Sequence, residues 1–325
     1  MKKYIFSLIG LLLCLFTLFS YAGCAAYDEV YVAETGGSLQ IYTDYSFETL
    51  DVTADSQANK NNNQTNNQTN NQTNNQTNKQ TNKQTTQQTE NVTTFKVRFA
   101  SYNIFHAEKA GYDYSKIAKN ITDNGIDIVG MQEVDNNTKR CGKTVQVRKI
   151  AEKTGYKYYK FFKAITHDGG EYGLGIVSKY PIESTNLIKL SSGSAEQRIL
   201  AHAVINVNGE KINFFVTHLS YDGEGGGSSR SKQFSEVAAE LAKYDNFVLS
   251  GDFNTRDLGE YSVIKNSKLV NTKEDPQITY PDGRSPLDNL VYSTSVWAFE
   301  KINVVTNSYS DHYMIHAQAT YTRKK

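Results

Sequence analysis

The chain has 325 residues, of which 35 are basic and 34 acidic, for a formal net charge of +1. This length is enough for one large domain or two small ones. The near-neutral charge argues against a uniformly basic surface for nonspecific binding of nucleic acid or anionic membranes, but not against a local basic cleft. The three cysteines, Cys14, Cys24 and Cys141, are too few for a disulfide scaffold.

The N-terminus is typical of an export signal. Two lysines precede an almost wholly apolar run from Tyr4 to Phe19, and Ala22-Gly23 lies directly before Cys24. This ending resembles the bacterial lipoprotein cleavage box, in which the cysteine is lipidated, although Tyr21 stands where leucine is usual. We therefore expect a signal peptide over residues 1–24 and an exported, membrane-tethered lipoprotein of the cell envelope. Plain secretion and an uncleaved membrane anchor remain as alternatives.

Two polar segments follow the signal. In residues 25–58, the stretches Val30-Tyr31-Val32 and Leu39-Gln40-Ile41 flank a glycine pair, which predicts a β-hairpin. Residues 59–93 are rich in Asn, Gln and Thr, and Asn61 to Gln88 is a near-perfect repeat with almost no apolar side chain. Such a tract cannot offset the entropy cost of ordering. We expect a disordered linker between the N-terminus and the domain that follows.

Residues 94–325 show alternating strand and helix patterns, with apolar residues at a period of two or at helical spacing. The predicted strands are Phe95–Ile104, Ile126–Met131, Tyr172–Ser178, His202–Val207, Ile212–Leu219 and Phe247–Ser250. The predicted helices are Tyr114–Asn124, Val145–Lys153 and Ser231–Lys243. Strands dominate, and several polar residues fall where strands end. This indicates an α/β domain with its site along the edges of a sheet.

Two polar groups follow the first strands of this domain. Asn103 lies in Ser101-Tyr102-Asn103-Ile104, and Glu133 lies in Gln132-Glu133-Val134-Asp135. Glu133 is a hard oxygen donor of the kind that Mg²⁺ prefers. Asn103 supplies a neutral amide that can orient a phosphate or a bound water. Alone, neither residue distinguishes a functional site from a solvated loop.

Three further clusters carry titratable side chains. His218 ends an apolar strand, where a histidine is more often a core residue than a catalytic one. Asp252 and Asn254 lie two residues apart after another apolar strand, so alternation directs both side chains to one face. Near the C-terminus, Ser310-Asp311-His312 follows Asp288. A carboxylate beside an imidazole can orient the ring and stabilise its charged form.

Together these clusters form five blocks in order, SYNI, QEVD, THL, GDFN and SDH. They resemble the endonuclease/exonuclease/phosphatase superfamily, which shares the fold of deoxyribonuclease I, and the resemblance runs from about Phe95 to about Thr320. It implies an α/β fold built as a four-layer sandwich of two packed mixed β-sheets flanked by helices. It also implies hydrolysis of phosphate esters by an activated water, with Mg²⁺ as the cofactor and Mn²⁺ as the alternative.

The resemblance assigns binding roles to five residues. Glu133 would be the principal metal ligand, with Asn103 beside it and Asp311 contributing. Asn254, Arg198 and Asn103 would bind the substrate phosphate. Arg198, in Glu196-Gln197-Arg198, lies where many members of the family have a phosphate-binding arginine.

The resemblance also assigns catalytic roles. Asp252 would activate or position the attacking water. His312, oriented by Asp288, would stabilise the charge that develops on the phosphate. His218 would be a second phosphate-facing histidine, with Glu171 as its carboxylate partner.

The activity expected from this inventory is that of a phosphodiesterase or nuclease acting outside the cytoplasm as a monomer. Its partners would be a phosphate-ester substrate, either nucleic acid or a phospholipid headgroup, and a membrane reached through the lipid anchor. A phosphomonoesterase and a sphingomyelinase-like lipid phosphodiesterase are alternatives. A catalytically silent surface binding protein of the same fold is the rival from another class.

Overall fold

The computed structural model describes residues 30–35, 38–43, 92–221, 227–306 and 309–324. The expected signal peptide, Cys24 and nearly all of the Asn/Gln/Thr-rich linker lie outside the described residues. Within the described ranges, no helix is both long enough and apolar enough to cross a bilayer. The chain divides into two units, Met1–Lys83 and Gln84–Lys325.

The first unit contains a β-hairpin. Strands β1 (Val30–Thr35) and β2 (Ser38–Thr43) pair antiparallel. In this pairing Val30 lies opposite Thr43, and Thr35 lies opposite Ser38. The two strands coincide with the apolar stretches on either side of the glycine pair.

The second unit is built on two mixed β-sheets. Its strands, in chain order, are β3 (Val92–Asn103), β4 (Ile128–Asn136), β5 (Tyr158–His167), β6 (Gly170–Ser178), β7 (Ile182–Lys189), β8 (Ile199–Val207), β9 (Glu210–His218), β10 (Phe247–Asp252), β11 (Ser267–Leu269), β12 (Asp288–Ser293), β13 (Trp297–Phe299), β14 (Asn303–Val305) and β15 (Met314–Lys324). The seven-stranded sheet has the order β13-β15-β3-β4-β6-β5, with β14 also paired to β15. The six-stranded sheet has the order β11-β12-β10-β9-β8-β7.

Three α-helices cover the outer faces of these sheets. Helices α1 (Tyr114–Asp123) and α2 (Gln146–Thr154) pack on the seven-stranded sheet, and α3 (Gly227–Leu241) packs on the six-stranded sheet. The four layers confirm the predicted sandwich. Gly125 follows the end of α1 by two residues and Gly155 directly follows α2, and the positive φ angles of both favour glycine and stop a helix.

Strand alternation separates the buried apolar side chains into layers. Phe99, Val216 and Val248 lie between the two sheets, in the central core. Their chain neighbours Ala100 and Phe215 lie in the outer cores under the helices. Every central strand is therefore apolar on both faces, as expected for sheets covered on both sides.

The two sheets lie close together beside Gly130 on β4. A Cβ added there would overlap Ser250 Oγ of β10 and would lie 2.7 Å from Val216 Cγ2 of β9. Only glycine fits at this position without moving the neighbouring strands. The absence of a side chain at Gly130 thus allows the two sheets to approach this closely.

We therefore expect Gly130→Ala to lower the free energy of unfolding by about 1–3 kcal/mol, because overpacking a filled core costs that much. Urea denaturation of the full chain measures the change. Ser250 Oγ is buried and has no hydrogen-bond partner among the described residues, so Ser250→Ala alone should cost little. In the Gly130→Ala background, Ser250→Ala should recover part of the loss. An identical loss in both backgrounds would contradict this contact.

Candidate active site

Three titratable side chains lie side by side at one end of the six-stranded sheet. Asp252 on β10 is directly opposite His218 on parallel strand β9 and directly opposite Asp288 on antiparallel strand β12. Residues that are opposite in a ladder project from the same face of the sheet. This face is the inner one, because Val216 and Leu290, two residues away on β9 and β12, lie in the central core.

Asn103 links these residues to the seven-stranded sheet. Its side-chain nitrogen Nδ2 donates to Asp252 Oδ2 at 3.0 Å and to Glu133 Oε1 at 2.9 Å. Its side-chain oxygen accepts the backbone N–H of Phe105 at 3.1 Å. Asn103 therefore presents its N–H donor to the two carboxylates, an orientation that also suits a phosphate oxygen. Its side-chain oxygen has a second lone pair besides the one that accepts the N–H of Phe105, so its role as a metal ligand stays a prediction.

A β-bulge aims Glu133 at the site. Met131 pairs with Gly175 and Val134 pairs with Gly173, so Gln132 and Glu133 together face one residue of β6. Glu133 has φ of +57°, an uncommon conformation for a residue with a side chain. Bulges re-aim side chains in this way, often next to active sites. The predicted strand end at Met131 was wrong for the same reason, since β4 continues past the bulge to Asn136.

Asn254 closes a tight turn directly after β10. It has φ of +51°, and its backbone N–H donates to Asp252 Oδ1 at 2.9 Å. Its side-chain nitrogen donates to the backbone carbonyl of Leu219 at 2.9 Å. The turn thus holds Asp252 and the segment after His218 together, and it places the Asn254 amide beside both.

His312 completes the cluster from the segment before β15. Its Nδ1 lies 2.8 Å from Asp288 Oδ2, and its Nε2 lies 3.5 Å from Asp252 Oδ2. Ser310 fixes the segment, because its hydroxyl donates to the backbone carbonyl of Asn103 at 2.6 Å and accepts the N–H of His312. The carboxylate that contacts the His312 ring is thus Asp288, not its chain neighbour Asp311. The predicted orientation of His312 by Asp288 has the geometry it requires.

The structure brings Arg198 to the site and leaves Glu171 outside it. Buried Arg198 forms an ion pair with Glu196 at 3.1 Å and lines a small cavity together with His218 and Tyr172. Glu171 instead contacts Asn136 Nδ2 at 3.0 Å and Lys163 Nζ at 3.0 Å. Successive strand residues project to opposite faces, so Tyr172 enters the cavity where Glu171 was expected. The predicted pairing of Glu171 with His218 is absent from this structure.

Two residues near the site were not found from the sequence. His106 is buried, and its Nδ1 lies 4.0 Å from Glu133 Oε2. Tyr280 places its ring edge-on to His312, with 5.1 Å between ring centroids. His106 follows Asn103 by three residues, a proximity that could have drawn attention to it. The position of Tyr280 depends on the fold of a long loop, which the sequence pattern does not reveal.

A family model for the endonuclease/exonuclease/phosphatase family matches residues 100–312. The chain belongs to this family. The match begins in β3 and ends at His312, so it includes every site residue described above. Hydrolases of the family are metal-dependent phosphoesterases. None of the curated proteins compared with the chain matches it.

Several solved structures share the fold of this chain. A family protein from Bacteroides thetaiotaomicron is 18% identical, with a TM-score of 0.56 and coverage of 71% of this chain and 97% of that one. The mannosyl-6-phosphatase of Bacteroides thetaiotaomicron VPI-5482 is 16% identical, with a TM-score of 0.53 and coverage of 69% and 99%. The human Nocturnin catalytic domain, solved with a bound sulfate anion, is 19% identical, with a TM-score of 0.55 and coverage of 72% and 97%. These likenesses confirm the deoxyribonuclease I-like fold.

The two histidines of this phosphoesterase site have opposite electrostatic surroundings. Burial by itself lowers the pKa of His312, but the combined attraction of Asp288, Asp252 and Asp311 outweighs it and raises the pKa to about 10. Burial lowers the pKa of His218 well below its usual range, and the positive charges of Arg198 and His312 lower it further. At neutral pH, His312 is therefore an imidazolium and His218 a neutral imidazole.

Burial also disfavours the charged form of the carboxylates of Glu133 and Asp252. Burial raises the pKa of Glu133 to about 7; the hydrogen bond from Asn103 opposes this rise, and the charges of Asp311 and Asp252 add to it. Burial also raises the pKa of Asp252, against the opposing effect of the His312 charge. Several negative groups thus share one partly dry pocket, and their mutual repulsion favours a bound cation.

The donor set fits the metal ion on which the family depends. Among the described residues, no lysine or arginine forms an ion pair with Glu133 or Asp252. The carboxylates of Glu133, Asp252 and Asp311 offer hard oxygen atoms of the type that Mg²⁺ prefers. Among the described residues, one group of three such side chains, Asp252, Asp288 and His312, has ligand atoms that all lie within 4.8 Å of one another. The charges of Asp252 and Asp311 also act on Glu133, so acidic groups surround the pocket on both sides.

A pair of variants tests whether Asp288 belongs to the site and Glu171 lies outside it. We expect Asp288→Asn to lower turnover of a phosphodiester by about 100-fold or more, because His312 loses the partner that orients and charges it. Glu171→Gln should stay close to the wild-type rate, since Glu171 contacts only groups outside the cluster. Steady-state kinetics and thermal melting of both variants provide the comparison. A loss for Glu171→Gln as large as that for Asp288→Asn would restore the original pairing of Glu171 with His218.

Proposed function

We propose that this protein is an exported phosphodiesterase, acting as a nuclease, that hydrolyses its substrate with a water molecule and Mg²⁺. One observation carries the proposal. Three side-chain nitrogens, from Asn103, His218 and His312, surround the single oxygen Asp252 Oδ2 at 3.0, 3.5 and 3.5 Å. Such a cluster of buried donors around one carboxylate is costly to maintain for stability alone. It is well suited to a phosphate and a water, which would share these donors.

Glu133 is the residue that would hold the cation, with Asp311 contributing, and Mn²⁺ is the alternative to Mg²⁺. When bound, the cation supplies positive charge that offsets the negative charge of the phosphate and of its transition state. Glu133 suits this role because its side chain is 19% exposed and has a second oxygen, Oε2, that accepts no hydrogen bond from another described residue. A ligand in this position can reach both the pocket and the solvent.

The cluster of Asp252, Asp288 and His312 is better explained as a proton-holding unit than as a metal site. The 2.8 Å contact between His312 Nδ1 and Asp288 Oδ2 is a hydrogen bond, and the raised pKa of His312 keeps both ring nitrogens protonated. An imidazolium has no lone pair to donate to a metal ion. The negative charge of Asp288 thus stabilises the imidazolium of His312 rather than a metal ion.

The remaining residues have complementary roles in hydrolysis. Asp252 lies where it can accept the proton of the attacking water, and its raised pKa suits a general base. His312 presents Nε2–H to the phosphate and stabilises the charge that develops there. Asn103 and Asn254 orient the phosphate, and buried Arg198 attracts it beside neutral His218.

Three substitutions separate these roles. Glu133→Gln should weaken Mg²⁺ binding and lower turnover by roughly 100-fold or more, because an amide lacks the charge that attracts a hard cation. His312→Ala should lower turnover to a similar extent but leave Mg²⁺ affinity nearly unchanged. Asp252→Asn should bind substrate and turn it over very slowly, because it cannot accept the water's proton. Isothermal titration with Mg²⁺ and turnover measurements on the three variants test this division.

The substrate panel for these assays is plasmid DNA, RNA, sphingomyelin, a generic phosphodiester and a phosphomonoester, each with and without Mg²⁺. Cleavage of DNA or RNA supports the nuclease proposal. Cleavage of sphingomyelin or of the monoester alone would replace it with one of the alternative activities. If the wild type cleaves nothing, or if all three variants match it, the site has been assigned wrongly and a binding role is favoured.

The location of the protein is a separate part of the proposal. The sequence up to Cys24 supports export and lipidation, with the long Asn/Gln/Thr-rich tract as a tether. We expect Cys24→Ser to move the protein from the membrane fraction to the soluble exported fraction, because a lipid chain is what retains it. Cell fractionation followed by immunoblotting measures the distribution. A wild type that is already soluble and exported would contradict the lipid anchor.

A further inference from the structure

His106 lies on a backbone turn of unusual conformation between β3 and α1. Phe105, His106 and Ala107 have φ angles of +45°, +41° and +62°. Left-handed residues that are not glycine cost about 1–3 kcal/mol each, and they persist only where the surroundings impose them. The turn directly follows Asn103, whose side-chain oxygen accepts the N–H of Phe105.

The turn places the His106 imidazole against Glu133. The residue is 8% exposed, and its Nδ1 is buried without a hydrogen-bond partner among the described residues. The nearest acidic atom to Nδ1 is Glu133 Oε2 at 4.0 Å, while Nε2 lies 3.5 Å from Glu108 Oε2. A buried ring nitrogen without a partner is costly, so its position against Glu133 calls for a functional explanation.

Gln146 holds this turn and the bulge of β4 in one arrangement. This fully buried residue, the first of α2, donates from Nε2 to the backbone carbonyl of His106 at 2.7 Å. Its Oε1 accepts the backbone N–H of Asp135, two residues after Glu133, at 2.8 Å. One side chain therefore fixes the backbone of His106 relative to the strand that carries Glu133.

We propose that His106 is a positioning residue for the Glu133 carboxylate. Asn103 donates to Oε1, and the His106 ring lies beside the other oxygen, with Nδ1 4.0 Å from Oε2, so the hydrogen bond and the neighbouring ring together limit rotation of the carboxylate. The remaining lone pairs of Glu133 then point in a fixed direction, as required of a ligand for a hard cation. This inference rests on the proposed function, because it takes Glu133 as the cation ligand.

Three substitutions at His106 test the atom that matters. His106→Leu removes both ring nitrogens and should weaken Mg²⁺ binding by about 10–100-fold, the usual effect of losing a partner that orients a ligand. His106→Asn places an amide N–H near the position of Nδ1 and tolerates positive φ, so it should retain most of the affinity. His106→Gln places its amide near the position of Nε2 and should resemble His106→Leu. Isothermal titration of the full chain with Mg²⁺ measures each affinity.

Two controls distinguish the possible failures. His202→Leu removes another buried histidine, which stacks on Phe215 on the outer face of the six-stranded sheet, and should leave Mg²⁺ affinity unchanged even if it lowers the melting temperature. Glu133→Gln should lose Mg²⁺ binding. Unchanged affinity in His106→Leu, or equal loss in His106→Asn and His106→Gln, overturns the role of His106. If His106→Leu does not fold, the comparison of Asn with Gln decides. Unchanged affinity in Glu133→Gln instead overturns the proposed function.

Discussion

The site depends on the distance between two β-sheets, because neither sheet carries all of its groups. Glu133 and Asn103 belong to the seven-stranded sheet, whereas Asp252, His218 and Asp288 belong to the six-stranded sheet. The side chain of Asn103 spans the gap with one hydrogen bond of 3.0 Å to Asp252, and a second of 2.9 Å holds it to Glu133 on its own sheet, so the spacing has little room to change. Glycine at position 130 permits this close approach. The packing of the core consequently sets the distances between the groups of the site.

Charge within the cluster is balanced only in part. The imidazolium of His312 offsets Asp288 and Asp252, so this half of the pocket is neutralised by a proton. On the other side, the charges of Asp311 and Asp252 act on Glu133, which accepts a hydrogen bond from the Asn103 amide and lies 4.0 Å from the His106 imidazole. Burial of like charges is unfavourable unless an ion is added. This asymmetry, more than any single distance, argues that the cation belongs beside Glu133.

Much of this arrangement was predictable from the sequence, and the exceptions have physical causes. The strands around Asn103, His218 and Asp252 follow from apolar alternation, and their polar ends marked the site. The family likeness predicted that Glu171 would pair with His218. Successive residues of a strand project to opposite faces, however, and in the structure Tyr172 rather than Glu171 lines the cavity beside His218. The bulge at Glu133 and the turn at His106 require positive φ at residues other than glycine. Local propensity disfavours such conformations, so only tertiary packing could reveal them.

The first strand of the second unit is joined to the last. β3 pairs with β15 along its length, from Val92 opposite Lys324 to Ser101 opposite Ile315, and both lie in the middle of the seven-stranded sheet. The seven-stranded sheet cannot be completed until β15 has left the ribosome. Contacts between such distant segments form slowly. If the chain is exported as proposed, this delay favours an incompletely folded chain, which is able to cross a membrane, until β15 has been made.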